Sequence, residues 1–189
     1  MTLILGLSGS LRRASYNSGL LRAAEALMPA GARLEIGTIA GIPLYDGDHE
    51  ASDGLPPAAE ALKAAIAGAD GVLLATPEYN NGIPGVFKNA IDWASRPPAD
   101  AARVFRARPF ALIGASPGGF GTVLAQDAWL AVLRTLGADL WSGGRLMVPG
   151  AGKAFDADGN LTDDAVRTRL ARFLADFVDV VRRRSAATG

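Results

Sequence analysis

A chain of 189 residues with 19 basic and 19 acidic side chains carries no net charge, and 49% of it is apolar. That is enough for one domain with a sizeable core, while the balanced charge argues against a nucleic-acid surface and against an acidic carrier that docks on basic partners. With no cysteine, disulfides, thiol catalysis and thiolate metal sites are excluded, and the single histidine, His49, sits in an acidic loop expected to face solvent, a poor start for a metal centre.

No stretch reads as membrane-spanning. The longest charge-free segment, Pro109 to Gln126, is interrupted by Gly114, Pro117, Gly118, Gly119 and Gly121. The N-terminus enters a strand directly, without the basic flank and long apolar region of a signal peptide, so a cytoplasmic protein is expected. Strand one covers about Leu3 to Leu7, followed by a Ser/Gly/Arg loop from Ser8 to Asn17. Leu20, Leu21, Ala24, Leu27 and Met28 then recur at helical spacing until Pro29 and Gly31. Arg33 to Ile39 alternates as a second strand, Gly41 to Pro57 reads as loop, and Ala58 to Ala67 as helix. Asp70 to Thr76 is the third strand and Gly85 to Ser95 a helix stopped by Pro97 and Pro98. Phe110 to Ala115 is the fourth strand, followed by the loop Ser116 to Gly121 and a helix from Val123 to Leu136. Leu140 to Val148 holds the fifth strand, with a break at Gly143 and Gly144. A last helix capped by Thr162 spans Leu161 to Arg184, and Ser185 to Gly189 is expected to fray. Trp93 and Trp129 are expected in the core or an interface, and Asn89 and Asp92 are expected to tie their helix to neighbouring loops.

Strand–helix alternation of this kind specifies a parallel sheet covered on both faces. Five strands fit an α/β, flavodoxin-like three-layer sandwich with sheet order 2-1-3-4-5, here one domain over residues 1–189. The loops after strands one, three and four then open on the carboxyl edge, where such sheets bind ligands. The first loop precedes a helix N-terminus, which attracts anions. It offers Ser10, Ser15, Asn17 and Ser18 as donors and Arg12 as a charge, with Arg13 the weaker candidate. It has neither the Gly-Lys-Ser/Thr ending of a P-loop nor a G-x-G-x-x-G fingerprint. A hydroxyl-rich loop of this kind suits a terminal monophosphate, as on FMN, although a Ser-rich turn that merely caps a helix would look similar. The second loop, TPEYNNGIPG, is rigid and carries Pro77, Glu78, Tyr79, Asn80 and Asn81; the third carries Ser116 and Gly118 in a glycine-rich turn. A phosphate cradle, an aromatic side chain and open backbone donors together match a flavin ring system.

GSLRRASYN, PEYNNGIPGVFKNAIDWASRP and GASPGGFGTVLAQ, in that order and spacing, resemble the NADPH-dependent FMN reductase family of quinone, chromate and azo-dye reductases over about Leu3 to Pro149. The resemblance implies bound FMN, oligomers built from dimers (a homodimer or a dimer of dimers), and NADPH or NADH as co-substrate. By motif, Ser10, Arg12, Ser15, Asn17 and Ser18 would hold the FMN phosphate. Pro77, Glu78, Tyr79 and Asn80 would line the ring and ribityl chain, with Asn81 beside them, and Ser116 and Gly118 would close the far side. Gly82 stands where many relatives have Ser, and Leu124 where relatives often have Arg. The resemblance therefore supplies neither a side-chain donor at Gly82 nor an arginine for a contact between dimers.

No residue pattern forms an acid–base pair or an activated nucleophile, as expected where a cofactor carries the chemistry. Hydride would pass from NAD(P)H through FMN to quinone-like, flavin, azo or metal-oxyanion acceptors, with small molecules as partners and neither nucleic acid nor membrane. The rival readings are a flavin-binding electron carrier or redox sensor without nicotinamide turnover, and a nicotinamide dehydrogenase domain without flavin. Glu78 reads equally as a surface acid or a flavin contact, and Tyr79 as a ring wall or a dimer-surface aromatic.

Overall fold

The computed structural model describes residues 1–188. In chain order its regular elements are β1 (Thr2–Ser8), α1 (Tyr16–Ala26), β2 (Ala32–Gly37), α2 (Gly47–Asp53), α3 (Pro57–Gly68) and β3 (Gly71–Ala75). There follow α4 (Gly85–Ala94), α5 (Ala101–Phe105), β4 (Pro109–Ala115), α6 (Val123–Thr135), β5 (Asp139–Leu140), β6 (Leu146–Val148) and α7 (Asp164–Thr188). All strand pairs are parallel, in the order β2-β1-β3-β4-β5, with β6 also pairing to β4. This is the expected flavodoxin-like arrangement.

Period-two alternation sends successive side chains to opposite faces. Ile4, Leu73, Ala111 and Ile113 face α1 and α7, where Leu20, Leu21, Leu170, Leu174 and Phe177 complete one core layer. Leu5, Leu7, Val72, Leu74 and Phe110 face the other way, onto Leu62, Ile66, Phe87, Ile91, Phe105 and Leu133 of α3 to α6. Both expected tryptophans are fully buried: Trp129 in this second layer and Trp93 under Tyr45, whose ring meets it edge-on at 5.0 Å.

The fifth strand is two short pieces, broken across Gly143 and Gly144 as expected, and other expectations need correction. β5 pairs with Pro109 and Phe110, and β6 with Ile113 to Ala115. The chain between them leaves the sheet because Trp141 turns onto Phe173 and Phe177 of α7, at centroid distances of 5.0 and 5.5 Å. The segment read as loop from Gly41 to Pro57 contains α2, and a short α5 precedes β4. α2 has no buried residue and hence no apolar period to read. The Asp46 carboxylate caps it by accepting the Asp48 N–H at 2.9 Å, and Glu50 anchors it to Arg96 at 2.7 Å. Thr162 is not the cap of α7; Asp163 is, its Oδ1 accepting the Val166 N–H at 2.9 Å, while the Thr162 hydroxyl donates to the Ala154 carbonyl. Ser185 to Thr188, expected to fray, continue α7, and Gly189 lies outside the described residues.

The strap before α2 is fastened to α4. Asn89 accepts the Tyr45 N–H at 2.9 Å and donates to the Pro43 carbonyl at 2.8 Å, which also accepts the Trp93 indole N–H at 2.9 Å. Asn89 thus ties its helix to a neighbouring loop as expected. Asp92 instead pairs with Lys88 one turn earlier on the same helix. His49 is about half exposed, 3.5 Å from Asp53.

Lys63 is almost completely buried, and its ammonium is matched by the Arg96 carbonyl at 2.6 Å and Asp100 at 2.9 Å. Hydrogen bonds from Arg103, and then from Lys63, hold the Asp100 carboxyl well below the usual carboxylate range. A depressed carboxyl contributes stability above its unfolded value, near 3.9, and loses it as pH falls toward its folded value. Asp100→Asn should therefore unfold at lower urea than wild type at pH 7, and the gap should narrow below about pH 4. Urea midpoints across pH check this.

Candidate active-site cleft

The loops after β1, β3 and β4 enclose an open cleft of about 240 Å³ at the carboxyl edge of the sheet. Its first wall is the loop into α1. Gly9 donates its N–H to the Ala75 carbonyl at 3.0 Å. A Cβ there would stand 2.3 Å from the Phe87 ring and 2.9 Å from Pro77, so only glycine lets this loop lie against the second one. Ser15 caps α1, its hydroxyl oxygen accepting the Ser18 N–H, and Ser10 accepts the Arg12 N–H at 3.3 Å. The Arg12 guanidinium donates to the Ala14 carbonyl at 2.9 Å and lies over the Tyr16 ring, 5.8 Å from its centroid.

The second wall is built on Thr76, which is fully buried. Its N–H donates to the Ile113 carbonyl, and its hydroxyl donates to the Pro77 carbonyl at 2.9 Å while accepting the Trp129 indole N–H at 3.1 Å. Pro77, Glu78 and Tyr79 then line the cleft. Tyr79 and Gly82 exchange both backbone hydrogen bonds across a two-residue turn. Asn80 and Asn81 occupy the turn with φ of 50° and 62°, left-handed conformations that asparagine tolerates better than most side chains.

The third wall is Ala115, Ser116 and Pro117. Ser116 is fixed on three sides: its N–H donates to Val148, its carbonyl accepts from Ala151, and its hydroxyl donates to the Gly121 carbonyl. Asn17 joins this wall to the first. Its buried side-chain amide donates to the Ala115 carbonyl at 2.9 Å and accepts the Ala115 N–H at 3.0 Å.

Of the residues singled out from sequence, Ser10, Arg12, Ser15, Asn17, Pro77, Glu78, Tyr79 and Ser116 converge on this cleft. Ser18, Asn80, Asn81 and Gly118 do not line it. The Ser18 hydroxyl braces the loop against Ser8 at 3.0 Å, the asparagines form the exposed tip of the turn, and the Gly118 carbonyl accepts the Gly150 N–H. Sequence reasoning missed Tyr16, Ala115 and Pro117 as lining residues. An aromatic between Ser15 and Asn17 at the first helical position was the available signal for Tyr16. At Gly82 a Cβ would meet only the Tyr79 carbonyl, at 3.8 Å, so the backbone there leaves room for a side chain.

The donor set fits a phosphate. Among the described residues, no acceptor takes the N–H groups of Tyr16 and Asn17 at the start of α1, or the hydroxyl hydrogens of Ser10 and Ser15. Arg12 stands beside them, and the aromatic Tyr79 and the ring of Pro77 flank the remainder. A larger groove of about 600 Å³ lies at the opposite edge of the sheet. Two of its arginines are engaged: Arg108 binds the carbonyls of Val104, Ala69 and Ala67, and Arg184 pairs with Asp139 at 2.7 Å.

A doubly wound parallel sheet with an aromatic-walled cleft at its carboxyl edge, beside a helix N-terminus, defines a flavodoxin-like α/β protein. The sequence profile of NADPH-dependent FMN reductases matches residues 2–153. The chain is 46% identical to an NAD(P)H-dependent FMN reductase of Pseudomonas aeruginosa, over 95% of both chains. It is 39% identical to a 2-hydroxy-1,4-benzoquinone reductase of Burkholderia, over 93% of this chain and 94% of the other. Its fold matches the FerB flavoenzyme NAD(P)H:acceptor oxidoreductase of Paracoccus denitrificans with a TM-score of 0.85 at 33% identity, covering 97% and 99% of the two chains. The chain belongs to the NADPH-dependent FMN reductase family.

The Asn17 bridge carries a direct test. Asn17→Asp exchanges the amide donor for an acceptor facing the Ala115 carbonyl, so it should lower unfolding free energy by about 1–3 kcal/mol, the cost of an unmet buried polar group. Chemical denaturation of the FMN-free protein measures this.

Proposed function

We propose that this chain is an FMN-dependent NAD(P)H oxidoreductase that delivers electrons to quinone-like, flavin, azo or metal-oxyanion acceptors, with residues 1–189 forming one FMN-binding domain. The observation that carries the reading is the open donor set at the start of α1 beside a cleft walled by Pro77 and Tyr79, in a chain of this family. FMN, when bound, supplies the chemistry: it accepts hydride from NAD(P)H and returns the electrons to an acceptor.

The protein supplies binding and orientation. The α1 N–H groups, Ser10, Ser15 and Arg12 would hold the phosphate as charge-assisted hydrogen-bond donors. Pro77 and Tyr79 would bound the ring on one side, and Ser116 and Pro117 on the other. Tyr79 is 49% exposed, which leaves one side of the cleft open to NADPH or NADH and then to the acceptor. The name of the Burkholderia relative favours quinone-like acceptors. Among the described residues no helix is long and apolar enough to cross a membrane. A cytoplasmic location suits an enzyme that draws on NAD(P)H. A homodimer or a dimer of dimers is the assembly that the resemblance to this family favours.

The purified protein should be yellow and should bleach on anaerobic addition of NADPH. A yellow protein that did not bleach would be a carrier or sensor, and a colourless one that stayed apo when offered FMN would overturn the reading. Arg12→Ala should weaken FMN binding about tenfold or more, whereas Arg13→Ala should change it little. Quenching of flavin fluorescence on titration distinguishes the two.

A further inference from the structure

Helix α6 follows the third loop, and its N-terminus lacks a cap of its own. Thr122, the residue before it, makes no capping bond; its buried hydroxyl accepts from the Gln126 amide at 3.1 Å instead. The N–H groups of the first turn need an acceptor from elsewhere, and the partial positive charge there favours a carboxylate. Glu78 supplies one from the second loop, 46 residues earlier in the chain. A single oxygen, Oε2, accepts the N–H of Leu124 at 2.8 Å and that of Ala125 at 2.9 Å. Glu78 sits between Pro77 and Tyr79, the residues that wall the cleft, and the helix it caps begins just after the opposing wall of Ser116 and Pro117. A second tie runs parallel to it, from the Trp129 indole of α6 to the Thr76 hydroxyl.

We propose that Glu78 is a positioning residue that sets the width of the FMN cleft by capping α6 from the opposite loop. It acts through the helix, and the length of its side chain matters more than its charge. With the tether intact, the Pro77–Tyr79 wall and the Ser116–Pro117 wall are held at one separation before any ligand arrives, so binding does not have to order them. Without it, two N–H groups of α6 lose their acceptor and the second loop is held to that helix only at Thr76. The proposal rests on the family's use of FMN.

Three substitutions separate reach from charge. Gln keeps an acceptor oxygen at the same reach, Asp keeps the charge but is one methylene shorter, and Ala keeps neither. Two readouts apply to each: amide hydrogen exchange at Leu124 and Ala125 in the FMN-free protein, and FMN affinity by fluorescence quenching. Glu78→Gln should preserve the protection and bind FMN within about threefold of wild type. Glu78→Asp and Glu78→Ala should lose the protection and bind about tenfold more weakly. The Gln and Asp pair suffices if the Ala protein does not fold. The proposal is overturned if Asp binds FMN better than Gln, which would mark a direct charge contact. It is equally overturned if all three bind like wild type, as a surface acid would, or if exchange at Leu124 and Ala125 is unmoved by Asp. A wild-type protein that takes up no FMN would sink the functional reading, while the exchange arm would still decide the tether.

Discussion

The structure depends on the parallel sheet being buried on both faces. β1, β3 and β4 run the same way because each is followed by a crossover that returns over the sheet, and both layers of crossover helices are packed with apolar side chains. Every strand then ends at the same edge. The serine and arginine loop, the Pro77 loop and the Ser116 loop are far apart in sequence and neighbours in space for that reason alone. A cleft at that edge is what the topology leaves open.

Topology brings the loops together, but polar ties hold them in register. Asn17 joins the first loop to the end of β4, Thr76 joins the second loop to β4 and α6, and Glu78 joins it again to α6. Each tie satisfies backbone or indole groups that would otherwise be unmet, so each serves stability and geometry at once. Phe87, Trp129 and Pro77 supply the apolar backing, the two aromatic rings meeting edge-on at 5.0 Å. The walls are therefore formed before a ligand is present. An enzyme that borrows its reactive group from a cofactor has little need for acid–base side chains, and its residues serve mainly to hold that group in place.

The periphery shows the same economy of means. The strap from Pro43 to α2 is fastened to α4 through Asn89 and Trp93, and to Arg96 just beyond it. Because α4 starts where the second loop ends, the strap stiffens the element that carries the cleft's Pro77–Tyr79 wall. Glu50 is central to it: the Arg96 guanidinium, more than the Tyr45 hydroxyl, pulls its carboxyl below the ordinary value.

Sequence alone determined the elements whose side chains repeat with a clear period, and through them the sheet order and the edge where ligands bind. It also determined the local chemistry of each loop: hydroxyls and Arg12 before a helix, an aromatic and prolines in the second loop, glycines in the third. It could not reveal α2, which buries no residue, and although Gly143 and Gly144 marked the break in the fifth strand, it could not show that Trp141 leaves the sheet there for contacts on α7. Nor could it assign partners across long chain separations. Asn17 read as a phosphate donor, and its amide is bound to Ala115; Glu78 read as a surface acid or a flavin contact, and one of its oxygens caps a helix 46 residues away. Side-chain type tells which bonds a residue can make, and only the packed fold decides which donors come within 3 Å of it.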